Sequence, residues 1–346
     1  MIEVAPSWYF YSMNATAITT TPFNFLGVLI IIFCRKSQMA SLRWHLLAYQ
    51  ICSMTTDFFI NVGALPVIFT PYAIGRPHGI FTFIFQCFGF QTSTEAQCIM
   101  VIISLYITAG SVELIFFFRY QAILPRHHSH KLTPLTSIIV IAIYDILLIS
   151  IIVISFLHSV PDQTEARAQF AQLHPELQYL MTDEHVYILC VIVETVHVFF
   201  LASCFFRFGI GIGTVVTLIW MSSRALQSFH LSSRTRIIHL QLIKSLCYQI
   251  TIPVLAFYGP LLVVVIPLMF HIPNTQLSFF ISLICVSLHT FLGTMSMLYF
   301  NRHYRAWLIS SIENRVARTT IRSSSKCMQP RDKSNANLSK FISVAL

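Results

Sequence analysis

The chain has 346 residues, of which 55% are hydrophobic and only 10% charged, and its mean hydropathy is +0.70. A water-soluble domain of this length needs far more charge on its surface, so lipid is the main solvent. The formal net charge of +9 does not point to nucleic acid, because the basic residues are split among the gaps between apolar stretches, where they act as topology signals beside anionic headgroups.

Seven apolar stretches are long enough to span a hydrocarbon core, which takes roughly 20 helical residues. The first runs from about Thr19 to Cys34 and the second from about Trp44 to Phe69. The third covers about Gln91 to Phe118, and the fourth about Pro134 to Leu157. The fifth lies within Val186 to Trp220, too long for one span and too short for two, with its register blurred by Arg207, Gly209, Gly211 and Gly213. The sixth runs from about Ile243 to Phe270 and the seventh from about Leu277 to Phe300. The pattern predicts an all-α membrane protein, a seven-transmembrane-helix bundle over residues 19–300, preceded by a short outer segment at 1–18. The two halves show no internal repeat of the kind many transporters carry.

Sidedness follows from charge. Lys and Arg gather after the first, third, fifth and seventh stretches, and 19 of the 22 fall on that side. Acid collects in the fourth gap, at Asp162, Glu165, Glu176, Asp183 and Glu184. The positive-inside rule then puts the N-terminus outside and the C-terminus in the cytoplasm. No basic start or cleavage site precedes the first span, so no cleavable signal peptide is expected. Asn14-Ala15-Thr16 is a glycosylation sequon on the outer side.

Five acids fall within or at the ends of spans: Asp57, Glu95, Glu113, Asp145 and Glu194. Ionisable groups in a span are costly to desolvate and are read as functional or as helix-joining polar groups. Ser53 and Asn61 lie four residues either side of Asp57 and share its helix face, a polar stripe suited to a water or ion network. Glu194 and His197 are one helical turn apart in the outer half of the fifth span, within a ligand's reach, and Glu95 is near the outer end of the third. Pro253, Pro260 and Pro267 recur every seven residues in the sixth span, so their bends add on one face and the helix becomes a lever.

No catalytic triad, nucleophile elbow, zinc-protease motif or phosphate loop occurs, and no enzyme activity or cofactor is expected. His127, His128 and His130 read as a solvated basic loop and not as a metal site, since no carboxylate or thiol flanks them. After Phe300, Tyr304, Trp307, Leu308, Ile312 and Val316 repeat at helical spacing among arginines, an amphipathic membrane-surface helix over 301–318, and residues 319–346 have the composition of a disordered tail.

Several segments carry a family resemblance. Lys36-Ser37-Gln38-Met39-Ala40-Ser41-Leu42-Arg43-Trp44, the stretch from Asp57 through Leu65-Pro66 to Gly75 and Gly79, Gln249-Ile250-Thr251-Ile252-Pro253, Tyr258-Gly259-Pro260, and His289, Thr294, Met297 and Tyr304-Arg305 together resemble nematode chemosensory receptors of the Str superfamily, serpentine receptor class H or class I. The resemblance implies a rhodopsin-like G-protein-coupled receptor in the plasma membrane, in the sensory cilium, detecting a small odorant or pheromone-like ligand and activating a heterotrimeric G protein. It implies a pocket among the third, fifth, sixth and seventh helices, with Glu95, Glu194 and His197 as ligand-binding residues. Arg119, Arg224, Arg234 and Arg236 would meet the G protein, and Asp57 with the three prolines would form the switch. The chain departs from the family where Phe116-Phe117-Phe118-Arg119 replaces Phe-Glu-Asn-Arg, removing the acid beside the arginine, and at Thr290 and His303, where Gly and Pro are usual. Residues 158–184 hold no Cys, so Cys87 or Cys98 has no partner for the common receptor disulfide unless Cys190 reaches back. A seven-span ligand-gated channel or transporter is the alternative class.

Overall fold

A computed structural model describes residues 5–34, 40–88, 94–125, 127–183, 185–228, 233–301, 304–311 and 313. Among the described residues the bundle is built from seven helical rods. They are α1 (Ser7–Phe33), α2 (Ala40–Phe58) continued by a π-helical turn (Phe59–Gly63), α4 (Thr94–Ile123), α5 (Pro134–Ser159), α7 (Thr195–Ser228), α8 (Ser233–Phe270), and α9 (Gln276–Ser287) continued by α10 (His289–Phe300). Five of these rods are long and apolar enough to cross a membrane by their described residues: α1, α4, α5, α7 and the α9–α10 pair. α2 is more polar because Gln50, Ser53, Thr56 and Asp57 sit along it, and all four are buried within the bundle. On the outside the pattern is reversed: α5 presents Ile138, Ile139, Ile143, Ile146, Leu147 and Ile154 to its surroundings. Apolar surface outside and polar surface inside is the arrangement that lipid as solvent selects.

One end of the bundle carries a lid. β1 (Pro66–Phe69) and β2 (Ile74–Pro77) form an antiparallel hairpin after α2, and β3 (Tyr187–Ile188) from the α5–α7 connection pairs antiparallel with β2. α3 (Ile80–Cys87) follows the hairpin, and Gly79 at its entry has no room for a side chain, since a Cβ would clash with the Gly63 carbonyl. In the same connection α6 (Gln163–Leu173) is capped by Asp162, which accepts from the main-chain N–H groups of Thr164 and Glu165. The Thr164 hydroxyl also donates to Asp162, and that bond first, with the two main-chain bonds, holds the Asp162 carboxyl below its ordinary range. Beneath the lid, Tyr9, Met13, Val67, Ile74, Phe170 and Ile188 belong to one buried apolar cluster.

Polar side chains tie the lid together. Arg167 donates to the carbonyl oxygens of Met181, Asp183 and Val186. Gln163 accepts from Ile188 N–H and donates to its carbonyl, closing the edge of β3. Arg76 pairs with Asp183 at 2.5 Å, joining the two connections. Gln276 of α9 accepts from Thr70 N–H and donates to the Ile68 carbonyl, fixing β1 to the bundle. The eight described cysteines are free thiols, Cys87, Cys98 and Cys190 among them, so side-chain hydrogen bonds and the Arg76–Asp183 pair join the lid here.

Two boundaries differ from the sequence expectation. α1 starts at Ser7, twelve residues before the expected span, because Tyr9 and Met13 bury completely under the lid. The fifth rod starts at Thr195, because the apolar run that begins at Val186 opens with a lid strand, Val186, Tyr187 and Ile188 being buried by protein. The sixth rod, α8, stays helical past Pro253, Pro260 and Pro267. Residues from Arg302 onward form a second unit, in which 304–311 are helical; the expected disordered tail at 319–346 lies outside the described residues.

Candidate functional site

The centre of the bundle holds an ionic cluster. Arg207 of α7 is 1% exposed, and its guanidinium donates to Glu113 Oε1 of α4 at 2.5 Å and to Asp145 Oδ1 of α5 at 2.9 Å. The Tyr144 ring faces the guanidinium at 5.8 Å. Glycine makes the approach possible. A Cβ at Gly110 would clash with the Asp145 carboxylate, and one at Gly211 would meet Glu113 Oε1 at 2.9 Å. Glu113 is ten residues, about 15 Å at 1.5 Å each, from the Ile123 end of α4, so the cluster is far from either end of the rod. Charges at such depth persist only when paired and hydrogen-bonded.

Beside the cluster lies a cavity of about 280 Å³ between α2, α4, α7, α8 and α10. Its lining is mainly apolar, with Leu105, Phe116, Phe208 and Val254, and its polar groups are fewer: Tyr49, Thr56, Thr108, Glu113, Arg207, Thr251 and His289. That size and composition are those of a small-molecule site, where one or two polar groups orient an otherwise apolar ligand.

A second polar network joins α1, α2 and α10. Asp57 Oδ1 is 3.1 Å from His289 Nδ1, which also faces the Val286 carbonyl at 2.7 Å. Ser53 Oγ lies 2.7 Å from Thr290 Oγ1 and 3.2 Å from His289 Nε2. Thr290, where the resembling receptors have Gly, therefore supplies a hydroxyl to this network. Gln50 donates to Thr294 at 2.9 Å, and Thr294 donates to Asn24 at 3.1 Å. Asp57 and Asn61 both line a smaller cavity of about 190 Å³ against α1, and Asp57 and Ser53 both meet His289 of α10.

The sequence-predicted ligand residues lie nearer the lid. Glu95 is half-buried in the first turn of α4. Burial raises the Tyr187 phenol above its ordinary range, and the nearby Glu95 carboxylate raises it further. Glu194 is exposed at the N-terminal edge of α7; its N–H donates to His197 Nδ1 at 3.1 Å, and its carbonyl accepts from His197 N–H. None of these three lines the central cavity. Asn14 is exposed on α1.

At the opposite end, Arg119 is 6% exposed near the end of α4, and His45 of α2 stacks on the adjacent Phe118 at 3.7 Å. Arg224 is exposed on α7 over the Trp220 ring at 5.3 Å. Ile123, Ala225, Leu226 and Ile243 pack together there, bringing the ends of α4 and α7 to the start of α8. Arg234 and Arg236 are in the first turn of α8, and their side chains lie outside the described residues.

Sequence reading named Glu113 and Asp145 but missed the partner they share. Arg207 is 94 and 62 residues from them along the chain. The available signal was a solitary Arg in one apolar run facing solitary acids in two others, which only pairing makes tolerable in lipid.

Seven helical rods among the described residues, with a polar interior, an apolar exterior and a cavity among them, define a multi-pass membrane protein of serpentine architecture. The model of the serpentine type 7TM GPCR chemoreceptor Srh family matches residues 4–314, and the chain belongs to that family. No curated protein matches the chain.

Proposed function

We propose that the protein is a ligand-gated chemosensory receptor that binds a small odorant or pheromone-like molecule in the central cavity and activates a heterotrimeric G protein from the end opposite the lid. The observation that carries this reading is the 280 Å³ cavity, lined by five rods and furnished with charged and hydroxyl groups, in a chain of the Srh chemoreceptor family. The cavity touches α4, α7, α8 and α10, so occupancy favours one arrangement of the rods over another. Arg119 and Arg224 belong to the end that would receive the G protein, with Arg234 and Arg236 at the start of α8. Pro253, Pro260 and Pro267 make α8 the rod best suited to tilt, with the Asp57–His289 network as its counterpart on α2 and α10. Glu95, Glu194 and His197 serve the lid side, at a distance from the bound ligand.

The charge distribution supports a lid facing outward, with Asn14 beside it, and basic ends facing the cytoplasm of a plasma membrane, in the sensory cilium of a neuron. Epitope tags test this arrangement. A tag before Ser7 is expected to stain intact cells, and a tag at the C-terminus only permeabilised ones. The reverse result removes the G-protein reading, because the basic end would then face away from the cytoplasm.

A further inference from the structure

The cavity's charges specify its ligand further, on the reading that this cavity is the receptor's binding site. Arg207 brings one positive charge against the two carboxylates of Glu113 and Asp145. Two carboxylates against one guanidinium leave the cluster one positive charge short unless a proton is held there, and a bound cation can take that proton's place. Glu113 is 3% exposed and lines the cavity, and its second oxygen, Oε2, accepts no hydrogen bond among the described residues. Arg207 Nε is also without an acceptor, so a neutral hydroxyl would satisfy both atoms. Charge decides between the two heads, because a cation can replace the proton that would otherwise neutralise the second carboxylate, and a neutral hydroxyl cannot.

The mouth of the cavity adds the rest. Ile212 and Val216 of α7 and Leu255 of α8 line it and are 50%, 58% and 67% exposed, opening it toward the lipid face between these two rods. At the other end the lid and its apolar cluster cover the bundle. We infer that the site takes a lipophilic amine: an organic cation whose charged nitrogen meets Glu113 Oε2 and whose apolar body fills the cavity after entering from the bilayer between α7 and α8.

Octylamine, 1-octanol and octanoic acid share one chain and differ only in the head group. Each is titrated against the full-length receptor in nanodiscs, reading thermal stabilisation, and in reporter cells, reading the signalling response. Octylamine is expected to act at a concentration at least about tenfold below octanol, with octanoate weakest. Glu113→Gln, which leaves Arg207 and Asp145 as a neutral pair, should erase the amine's advantage. Asp145→Asn, which removes the excess charge without touching the cavity lining, should reduce it. Equal or stronger action of octanol, preference for octanoate, or an amine preference surviving both variants overturns the proposal. Amine stabilisation without any signalling leaves the ligand class standing and counts against the receptor reading. Activation by a neutral compound alone does the opposite.

Discussion

Arg207→Met is expected to abolish the folded receptor. The substitution leaves Glu113 and Asp145 buried with no cation, and breaking a buried ion pair from one side costs about 3–5 kcal/mol. That is a large part of the roughly 5–15 kcal/mol that holds a domain together. Fluorescence-detected gel filtration of a tagged receptor should show aggregate in place of a single peak, and surface staining should disappear. Adding Glu113→Gln and Asp145→Asn to Arg207→Met should restore much of the peak, because replacing a whole buried ion group by neutral side chains is often tolerated where removing one member is not. If Arg207→Met alone expresses and migrates as the native receptor does, the cluster is not what joins α4, α5 and α7.

Filling the cavity should give the largest functional effect at the least structural cost. Ala109 lines it from α4 and is partly exposed to it, so Ala109→Trp adds a large ring into open space and spares the packed core around it. The concentration of any agonist needed for half-response should rise at least about a hundredfold, equivalent to about 2.8 kcal/mol, with surface level unchanged. Leu135→Trp, on the exposed face of α5, is the matched control and should leave the response as it was. An agonist that acts equally on both variants binds somewhere other than this cavity.

The seven rods were legible in the sequence because apolar length and basic gaps are local properties. The lid was not. β2 and β3 come from separate gaps, and the apolar run from Val186 reads the same whether it faces lipid or lies beneath a hairpin. The late start of α7 at Thr195 has the same origin, and it moves Glu194 and His197 from the interior of a span to the edge of a helix. The acids of the central site were legible one by one. Their assembly was not, because it needed the register of three helices and the missing side chains of Gly110 and Gly211. Asp57 shows the converse case. Its polar stripe on α2 was expected from spacing alone, and the structure adds the partner that spacing cannot supply, His289 on α10.

The missing acid beside Arg119 makes the receptor's output the claim most in need of a direct test. Nucleotide exchange on a purified G-protein heterotrimer, driven by the receptor in nanodiscs, is that measurement. Agonist should accelerate exchange on the native receptor. With Arg119→Glu the acceleration should vanish while agonist still protects the receptor against heat. Undiminished acceleration by Arg119→Glu, or an agonist-evoked current through the native protein with no nucleotide present, would contradict the account.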